Sequence, residues 1–394
     1  MQNSKGFYIC RKMALSPFFI TCLFVLALCI VPHSVPAQPF GFVKRYFNKI
    51  INDTTDIREP QFLAYPTMVY APETSWEVGL SSLFVYYAKK DTTNRLSEIN
   101  GFTFYTLRGQ YGASFDHALY THQNRWSFIG KVKYQNFPLL YFGIGPKTPP
   151  EFEARVDARL LNIKERALKA VSKNIFAGLE IDYQRLSKVE FVPHGSTAIN
   201  KPLGHEGSSN LGFGAGILYD DRHNVLNVRK GSFAELALLH YNQAWGSNFG
   251  FTSILSDNRL YKTLGSRNVL ALQAFGQFNI GEPPFNQLSL LGGESLMRGY
   301  YTGRLRDKNQ LAAQAEFRML PLPLGFTNRW GAAVFGGAGT VFNHFNNLSL
   351  KNFVLAGGAG LRFLLFPKKD IYSRVDLAFT KEGTGLYIFV GEAF

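Results

Sequence analysis

The chain has 394 residues and a formal net charge of +14, and 46% of its residues are hydrophobic and 15% aromatic. Its three cysteines, Cys10, Cys22 and Cys29, lie in the first 37 residues. Without that segment the charge is +11, and neither disulfides nor thiol chemistry remain. The positive charge favours anionic lipid, lipopolysaccharide or acidic solutes as partners, and no nucleic-acid motif accompanies it.

Residues 1–37 predict a cleaved secretory signal peptide. Three basic residues precede an apolar core at 20–31, and residues 35–37, Val-Pro-Ala, form a small-residue cleavage site. A retained transmembrane helix is the alternative, although the apolar run is short for one. Residues 38–61 are too few for a folded domain. They predict a short amphipathic helix, which lies on a membrane surface or enters the lumen of a barrel as a plug, or else a solvated linker.

Residues 62–394 predict an all-β domain, because apolar and polar residues alternate along segment after segment. In residues 310–319, Gln314, Glu316 and Arg318 share one side, and alanine, leucine and phenylalanine share the other. A charged face on many strands is typical of a membrane barrel with a wet lumen, and the mean hydropathy of −0.06 fits such a barrel. A large soluble β-protein is the alternative on composition alone.

The segment at 156–173 is ambiguous, because its composition also suits a helix. We interpret it as a strand. Longer polar connections at 146–153, 188–209 and 281–303 are expected to be extracellular loops.

A glycine-rich connection separates two of the predicted strands and carries Arg298, Gly299 and Tyr300 at its centre. Taken alone, these residues also suit an ordinary hairpin tip in which Gly299 adopts a positive φ. With the flanking strands, the stretch resembles the BamA/TamA superfamily of outer-membrane assembly proteins, the bacterial surface antigen family. In that family an Arg-Gly-Phe/Tyr tip on the sixth long loop folds back inside a 16-stranded antiparallel barrel.

The resemblance implies which groups hold this loop. Glu316 matches the first of two lumen carboxylates that pair with the loop arginine. The second is usually an aspartate, but residues 337–341 are Gly-Ala-Gly-Thr-Val here. We therefore expect Arg298 to pair with Glu316 alone.

Two further motifs match the family. Asp220, Arg222 and Asn224, followed by Gly231, resemble its Asp-x-Arg-x-Asn…Gly signature, although Val228 stands where proline is usual. We interpret them as a structural motif that fixes a turn, and a surface ion pair is the alternative. Residues 385–394, with Tyr387, Phe389 and Phe394, resemble a terminal targeting strand that the barrel-assembly machinery reads by strand addition; Phe394 is expected to share a face with other apolar residues of that strand.

Family members usually carry periplasmic POTRA domains before the barrel, and residues 38–61 cannot form one. No enzyme signature, metal-ligand spacing or cofactor motif is found, so we expect a non-enzymatic protein without cofactors. The resemblance implies insertion or translocation of proteins at the bacterial outer membrane, with unfolded outer-membrane proteins or other assembly subunits as partners. A gated pore, or a non-catalytic subunit of a larger assembly complex, is the alternative.

Overall fold

The computed structural model describes residues 41, 56–71, 75–195, 199–222 and 224–394. In these ranges no helix is long and apolar enough to cross a membrane. The described chain is built from strands joined by turns and loops, as follows: β1 (Gln61–Ala71), β2 (Ser75–Tyr87), β3 (Leu96–Thr106), β4 (Tyr111–Tyr120), β5 (Trp126–Asn136), β6 (Leu139–Tyr141), β7 (Ala154–Ser172), β8 (Ile175–Pro193), β9 (Ser208–Asp220), β10 (Gly231–Tyr241), β11 (Phe251–Leu264), β12 (Asn268–Gly281), β13 (Ser289–Leu291), β14 (Leu305–Asp307), β15 (Asn309–Met319), β16 (Trp330–Phe342), β17 (Val354–Phe366), β18 (Ile371–Thr380) and β19 (Gly383–Val390).

Consecutive strands pair antiparallel in one 17-stranded sheet, while β13 and β14 form a separate hairpin. Because β5 and β6 lie end to end on β7, the strands of the large sheet occupy 16 positions across it. β12 pairs directly with β15, so the chain between them forms a long excursion from the sheet. The prediction of about 16 strands is confirmed, and so is a strand at 156–173, which lies almost wholly in β7.

The two faces of the sheet differ in polarity, as the period of two requires. On β15, Gln314, Glu316 and Arg318 are buried, whereas Ala313 and Ala315 on the opposite face are exposed. The same alternation on the other strands places most charged side chains on the inner face and most apolar ones outside. The fold is a transmembrane antiparallel β-barrel with a polar lumen.

The two ends of the sheet meet through side chains. A buried apolar cluster joins Leu63 of β1 to Phe366 and Ile371 near the β17–β18 turn. The Nζ atom of Lys369 donates to the carbonyl oxygen of Glu59 at 3.0 Å. In the described residues, β1 pairs only with β2 and β19 only with β18, so no ladder joins the first strand to the last.

The end of the chain differs from the prediction of a strand at 385–394. β19 ends at Val390, and Gly391, with φ +89°, turns the chain out of the sheet. Phe394 therefore does not share the lipid-facing side of β19 and is only 6% exposed. The alternation rule failed here because it assumes extended backbone to the last residue.

One predicted loop boundary is wrong, and two predicted segments near the start of the chain lie wholly or mostly outside the described residues. The loop predicted at 188–209 begins later, because β8 continues to Pro193. The predicted signal peptide at 1–37 lies outside the described residues, as does most of the segment at 38–61.

Candidate functional site

The site is built around the lumen loop, residues 282–308 between β12 and β15. Its β13–β14 hairpin is tied to the connection between β6 and β7 by a hydrogen bond from the Gly145 N–H to the Arg306 carbonyl, at 2.8 Å. Arg304 Nε lies 2.5 Å from Glu382 Oε2, and its Nη1 donates to Thr148 Oγ1 at 2.7 Å. The base of the loop is thus held by the β6–β7 and β18–β19 connections.

Arg306 is a second buried cation at the base of the loop. Its Nη2 atom donates to the carbonyl oxygens of Leu140 at 3.0 Å and Gly303 at 3.1 Å. Burial, partly offset by the hydroxyls of Tyr301 and Tyr141, lowers the pKa of Arg306 to about 10. The guanidinium carbon also lies 5.2 Å from the centre of the Tyr141 ring, so carbonyl dipoles and an aromatic ring position the hairpin without a carboxylate.

Apolar side chains anchor the tip of the loop to the barrel wall. Met297 and Tyr300 pack with Leu291 of the hairpin and with Val341 and Val354 of the wall. The Tyr300 hydroxyl donates to the main-chain oxygen of Leu355 at 3.3 Å, and burial raises the pKa of Tyr300. The tip is therefore seated inside the lumen.

Gly299 fills a position that no other residue suits. Its φ is +106°, and an added Cβ would lie 2.6 Å from Thr380 Cγ2 of β18. Its N–H donates to the Tyr387 hydroxyl at 2.9 Å. The glycine thus lets the tip approach β18 closely and contact β19.

Arg298 carries the central contacts. Its Nη2 lies 2.5 Å from Glu316 Oε2 on β15, and its Nη1 lies 2.6 Å from Asp376 Oδ2 on β18. The guanidinium carbon is 3.5 Å from the centre of the Phe335 ring. All three side chains of the ion pairs are fully buried, so each charge depends on its partners.

The two carboxylates belong to a larger lumen network. Asp376 also accepts from Arg362 at 2.5 Å and from Arg374 at 2.6 Å. Glu316 also accepts from Arg318 at 2.7 Å. In this network the carboxylates of Glu316, Asp376 and Glu392 pair with four arginines, so each carboxylate has several cationic partners. The arginines are Arg298, Arg318, Arg362 and Arg374.

The expectation that Glu316 is the sole partner of Arg298 is wrong. At position 337 an added Cβ would lie 2.9 Å from Gln314 Cβ and 3.4 Å from Met297 Sδ, which leaves little room for a carboxylate. The second acid comes from β18 instead. Alternation along β18 places Asp376 on the polar face of that strand together with Arg374, and that signal could have marked it as a candidate.

Sequence comparison decides the family. Residues 98–365, about two thirds of the chain, match the model of the Omp85 superfamily domain. The chain belongs to the Omp85 superfamily. The resemblance found in the Arg298 loop is thereby confirmed at the level of the family, and the chain is placed among bacterial outer-membrane barrels.

Solved structures share the fold of this Omp85 barrel. BamA from Haemophilus ducreyi, in a form that lacks POTRA domains 1–3, aligns at 14% identity with a TM-score of 0.53, over 84% of this chain and 69% of that one. CdiB from Acinetobacter baumannii aligns at 11% identity with a TM-score of 0.53, over 84% of this chain and 59% of that one. A comparison with curated protein sequences finds no match.

The end of the Omp85 barrel chain, residues 391–394, forms a tail that enters the lumen. The Glu392 carboxylate lies 3.0 Å from Arg362 Nε. The Phe394 ring lies 5.5 Å from the Arg318 guanidinium, and Arg318 Nη2 donates to the main-chain oxygen of Phe394 at 3.0 Å. The tail and the lumen loop thus share one arginine network, which the sequence analysis missed.

The other two residues proposed for the terminal targeting strand remain on β19. Tyr387 faces the lumen and contacts the loop tip, whereas Phe389 is 39% exposed. All three residues nevertheless lie near the lumen network, because the Phe389 ring is 5.0 Å from the Arg374 guanidinium.

The turn motif lies between β9 and β10. Asp220, 1% exposed, accepts from Arg222 Nε at 2.9 Å and from Arg95 Nη1 at 3.1 Å. Burial disfavours the charge of Arg222, but Asp220 outweighs it and raises the pKa of Arg222. Asn224 donates to the Lys369 carbonyl at 2.8 Å, and Gly231 has φ +112°. The motif does not form a surface ion pair.

No group of three or more His, Cys, Asp or Glu side chains in the described ranges could hold a metal ion. The polar groups of the lumen site are instead arginines and carboxylates that pair with one another. Such an arrangement can fix the position of a loop and of strands, because paired guanidinium and carboxylate groups specify geometry more than they add stability.

Proposed function

We propose that this Omp85 barrel assists the insertion or translocation of proteins at the outer membrane, through a weak seam between β1 and β19. A strand edge that lacks a ladder partner can pair with another chain, as in β-augmentation. An incoming strand would be templated there. Its own folding would supply the energy, so no nucleotide or cofactor is required.

The observation that carries the proposal is the pairing at the seam. In the described residues β19 forms a ladder only with β18, and its eight residues are fewer than the eleven of β1. The turn at Gly391 then removes the following residues from the edge. Separating a short last strand, which pairs with one neighbour only, costs less free energy than separating any internal strand, which pairs with two.

The lumen loop supplies a means of controlling that edge. Arg298 is paired with Asp376 on β18, and the Gly299 N–H donates to Tyr387 on β19. Both contacts hold the final hairpin from inside the barrel. We infer that withdrawal of the loop tip frees β19, whereas a seated tip keeps the seam shut.

The proposed partners follow from this role. Unfolded outer-membrane proteins would meet the seam, and outer-membrane lipid and lipopolysaccharide would meet the apolar outer face. We also propose that residues 1–37 are removed as a signal peptide during export. The alternative functions are docking on other assembly subunits and use of the lumen as a gated pore. Experiment would distinguish them from the proposed function.

The test depletes the protein and measures the outer-membrane proteome during rescue by three forms. These are the wild type, Arg298→Ala and the matched control Arg259→Ala. Arg259 also faces the lumen and lies 2.5 Å from a carboxylate, Asp257, but it does not contact the loop. We expect broad loss of folded barrels on depletion, with rescue by the wild type and the control but not by Arg298→Ala.

Two results would count against the proposal. An unchanged proteome together with altered uptake of small solutes would make the protein a pore. Full rescue by Arg298→Ala would mean that the function does not require the Arg298 contacts of the loop, and the proposed control of the seam would be wrong.

A further inference from the structure

An ionisable pair lies on the outer, lipid-facing surface of the barrel. His117 of β4 and Glu165 of β7 are both in register with Gly130 of β5, which lies between them. The His117 Nε2 atom is 3.2 Å from Glu165 Oε2. On the same face, Phe115 is 46% and Val132 43% exposed, so the pair is surrounded by side chains that face lipid.

The pair lies well inside the hydrocarbon layer. A strand that crosses a bilayer needs about 9–11 residues. β4 has 10 residues and β5 has 11, so their ends lie near the two interfaces. His117 is the seventh residue of β4, and Gly130 the fifth of β5. Both positions are close to the middle of the membrane.

Ionisable groups at this depth are costly and usually have a partner or a function. In the described part of the chain, His117 Nδ1 and Glu165 Oε1 have no hydrogen-bond partner. Water cannot satisfy them in hydrocarbon. One pair on one barrel therefore leaves a nitrogen and an oxygen unsatisfied.

We propose that this surface binds a second copy of the chain. Two copies with the same orientation in a membrane are related by an axis along the membrane normal. Because His117 and Glu165 flank Gly130 at equal height, a two-fold axis over Gly130 places the histidine of each copy opposite the glutamate of the other. Gly130 has no side chain, and the imidazole of His117 and the carboxylate of Glu165 meet over it, so the pair itself forms the contact surface.

The contact is self-complementary. Each copy contributes one nitrogen and one oxygen that are buried and unsatisfied in the single barrel. The terminal torsions of His and Glu, which are broad, can turn these atoms toward the other copy. The two ion-pair dipoles are then antiparallel. A foreign partner with a single polar group would satisfy only one of the two atoms, so the second copy accounts for both.

The first test measures association of the full chain in lipid bilayers by single-molecule photobleaching over a range of protein densities. We expect dimers for the wild type and at least a tenfold higher dissociation constant for His117→Leu/Glu165→Leu. The exchanged variant His117→Glu/Glu165→His keeps the complementary arrangement and should still form dimers. Heat modifiability on gels confirms that each barrel is folded.

The second test uses an introduced cysteine in native membranes. Val132→Cys on β5 should form a disulfide-linked dimer on oxidation, whereas Leu361→Cys, 54% exposed on β17, should not. The chain without an introduced cysteine controls for Cys10, Cys22 and Cys29.

A wild type that is monomeric at every density would overturn the proposal. So would dimers that the leucine variant leaves unchanged, or cross-linking of Val132→Cys to a different protein. The seam is not involved in any of these measurements, so their outcome is independent of the proposed function.

Discussion

The aspartate that the sequence analysis missed offers the sharpest test of the lumen lock. Asp376→Asn keeps the shape of the side chain and removes its charge. The carboxylate accepts from Arg298 at 2.6 Å, Arg362 at 2.5 Å and Arg374 at 2.6 Å, with no exposure to solvent. Removal of one partner from a buried ion pair costs about 3–5 kcal/mol. The substitution affects three arginines together, so we expect the upper part of that range.

The readout is cleavage of the lumen loop by trypsin, because the substitution leaves every arginine in place. If the cost falls on the seated loop, about 4 kcal/mol raises the fraction of open loop by about three orders of magnitude. The control is Asp257→Asn, which removes another buried lumen aspartate that pairs with the arginine two residues away. The control should lower the free energy of unfolding and leave cleavage after Arg298 unchanged.

Equal cleavage of Asp376→Asn and the wild type would refute the reasoning, provided that both barrels are folded. Equal cleavage of Asp376→Asn and Asp257→Asn would also refute it, because the effect would then come from general loosening of the barrel.

Three further substitutions test the remaining contacts. Gly299→Ala should increase trypsin cleavage of the loop several-fold, because its φ is +106° and the new Cβ would lie 2.6 Å from Thr380; wild-type cleavage would contradict this. Tyr387→Phe should accelerate hydrogen exchange of the Gly299 amide, because it removes the acceptor at 2.9 Å at a cost of about 1–3 kcal/mol; an unchanged rate would mean that the bond is unimportant. Phe394→Ala should lower the free energy of unfolding in urea by about 3–5 kcal/mol, whereas Phe389→Ala, at a more exposed position, should lower it less.

The barrel could be predicted because its determinants are local and periodic. Alternation along residues 310–319 identified the lumen face of β15, and the Arg-Gly-Tyr tip identified the loop that enters the lumen. Glu316 was found because both lines of reasoning agree on it. The ambiguous segment at 156–173 forms a strand because tertiary pairing with β5 and β8 overrides its helical composition.

The missed features depend on three-dimensional proximity. Asp376 is 78 residues from Arg298 and on a different strand from the family's usual aspartate, so spacing gave no indication of the pair. The tail leaves the sheet at Gly391, and Glu392 there pairs with Arg362 and Arg318, which lie on the other strands β17 and β15. The ion pair of His117 and Glu165 on the outer face could not be predicted either, because it depends on the register of the three strands β4, β5 and β7.

The shared arginine network implies that the tail and the loop are energetically coupled. Arg362 Nη1 lies 2.5 Å from Asp376 Oδ1, and its Nε lies 3.0 Å from Glu392 Oε2. Glu392→Gln weakens the tail contact and leaves Arg362 more strongly drawn to Asp376, which Arg298 also requires. The loop should therefore respond to a substitution that it does not touch.

A double-mutant cycle between Glu392→Gln and Arg298→Met measures this coupling from urea unfolding. Sites that share a network usually show interaction energies of about 0.5–3 kcal/mol, whereas independent sites add to within about 0.5 kcal/mol. We expect non-additivity, and the control cycle of Arg298→Met with Asp257→Asn should be additive. If both cycles are additive, the tail and the loop act separately, and the seam is held by two independent contacts. If only the first is non-additive, one network holds β18, β19 and the tail, and an incoming strand that displaces the tail would also loosen the loop.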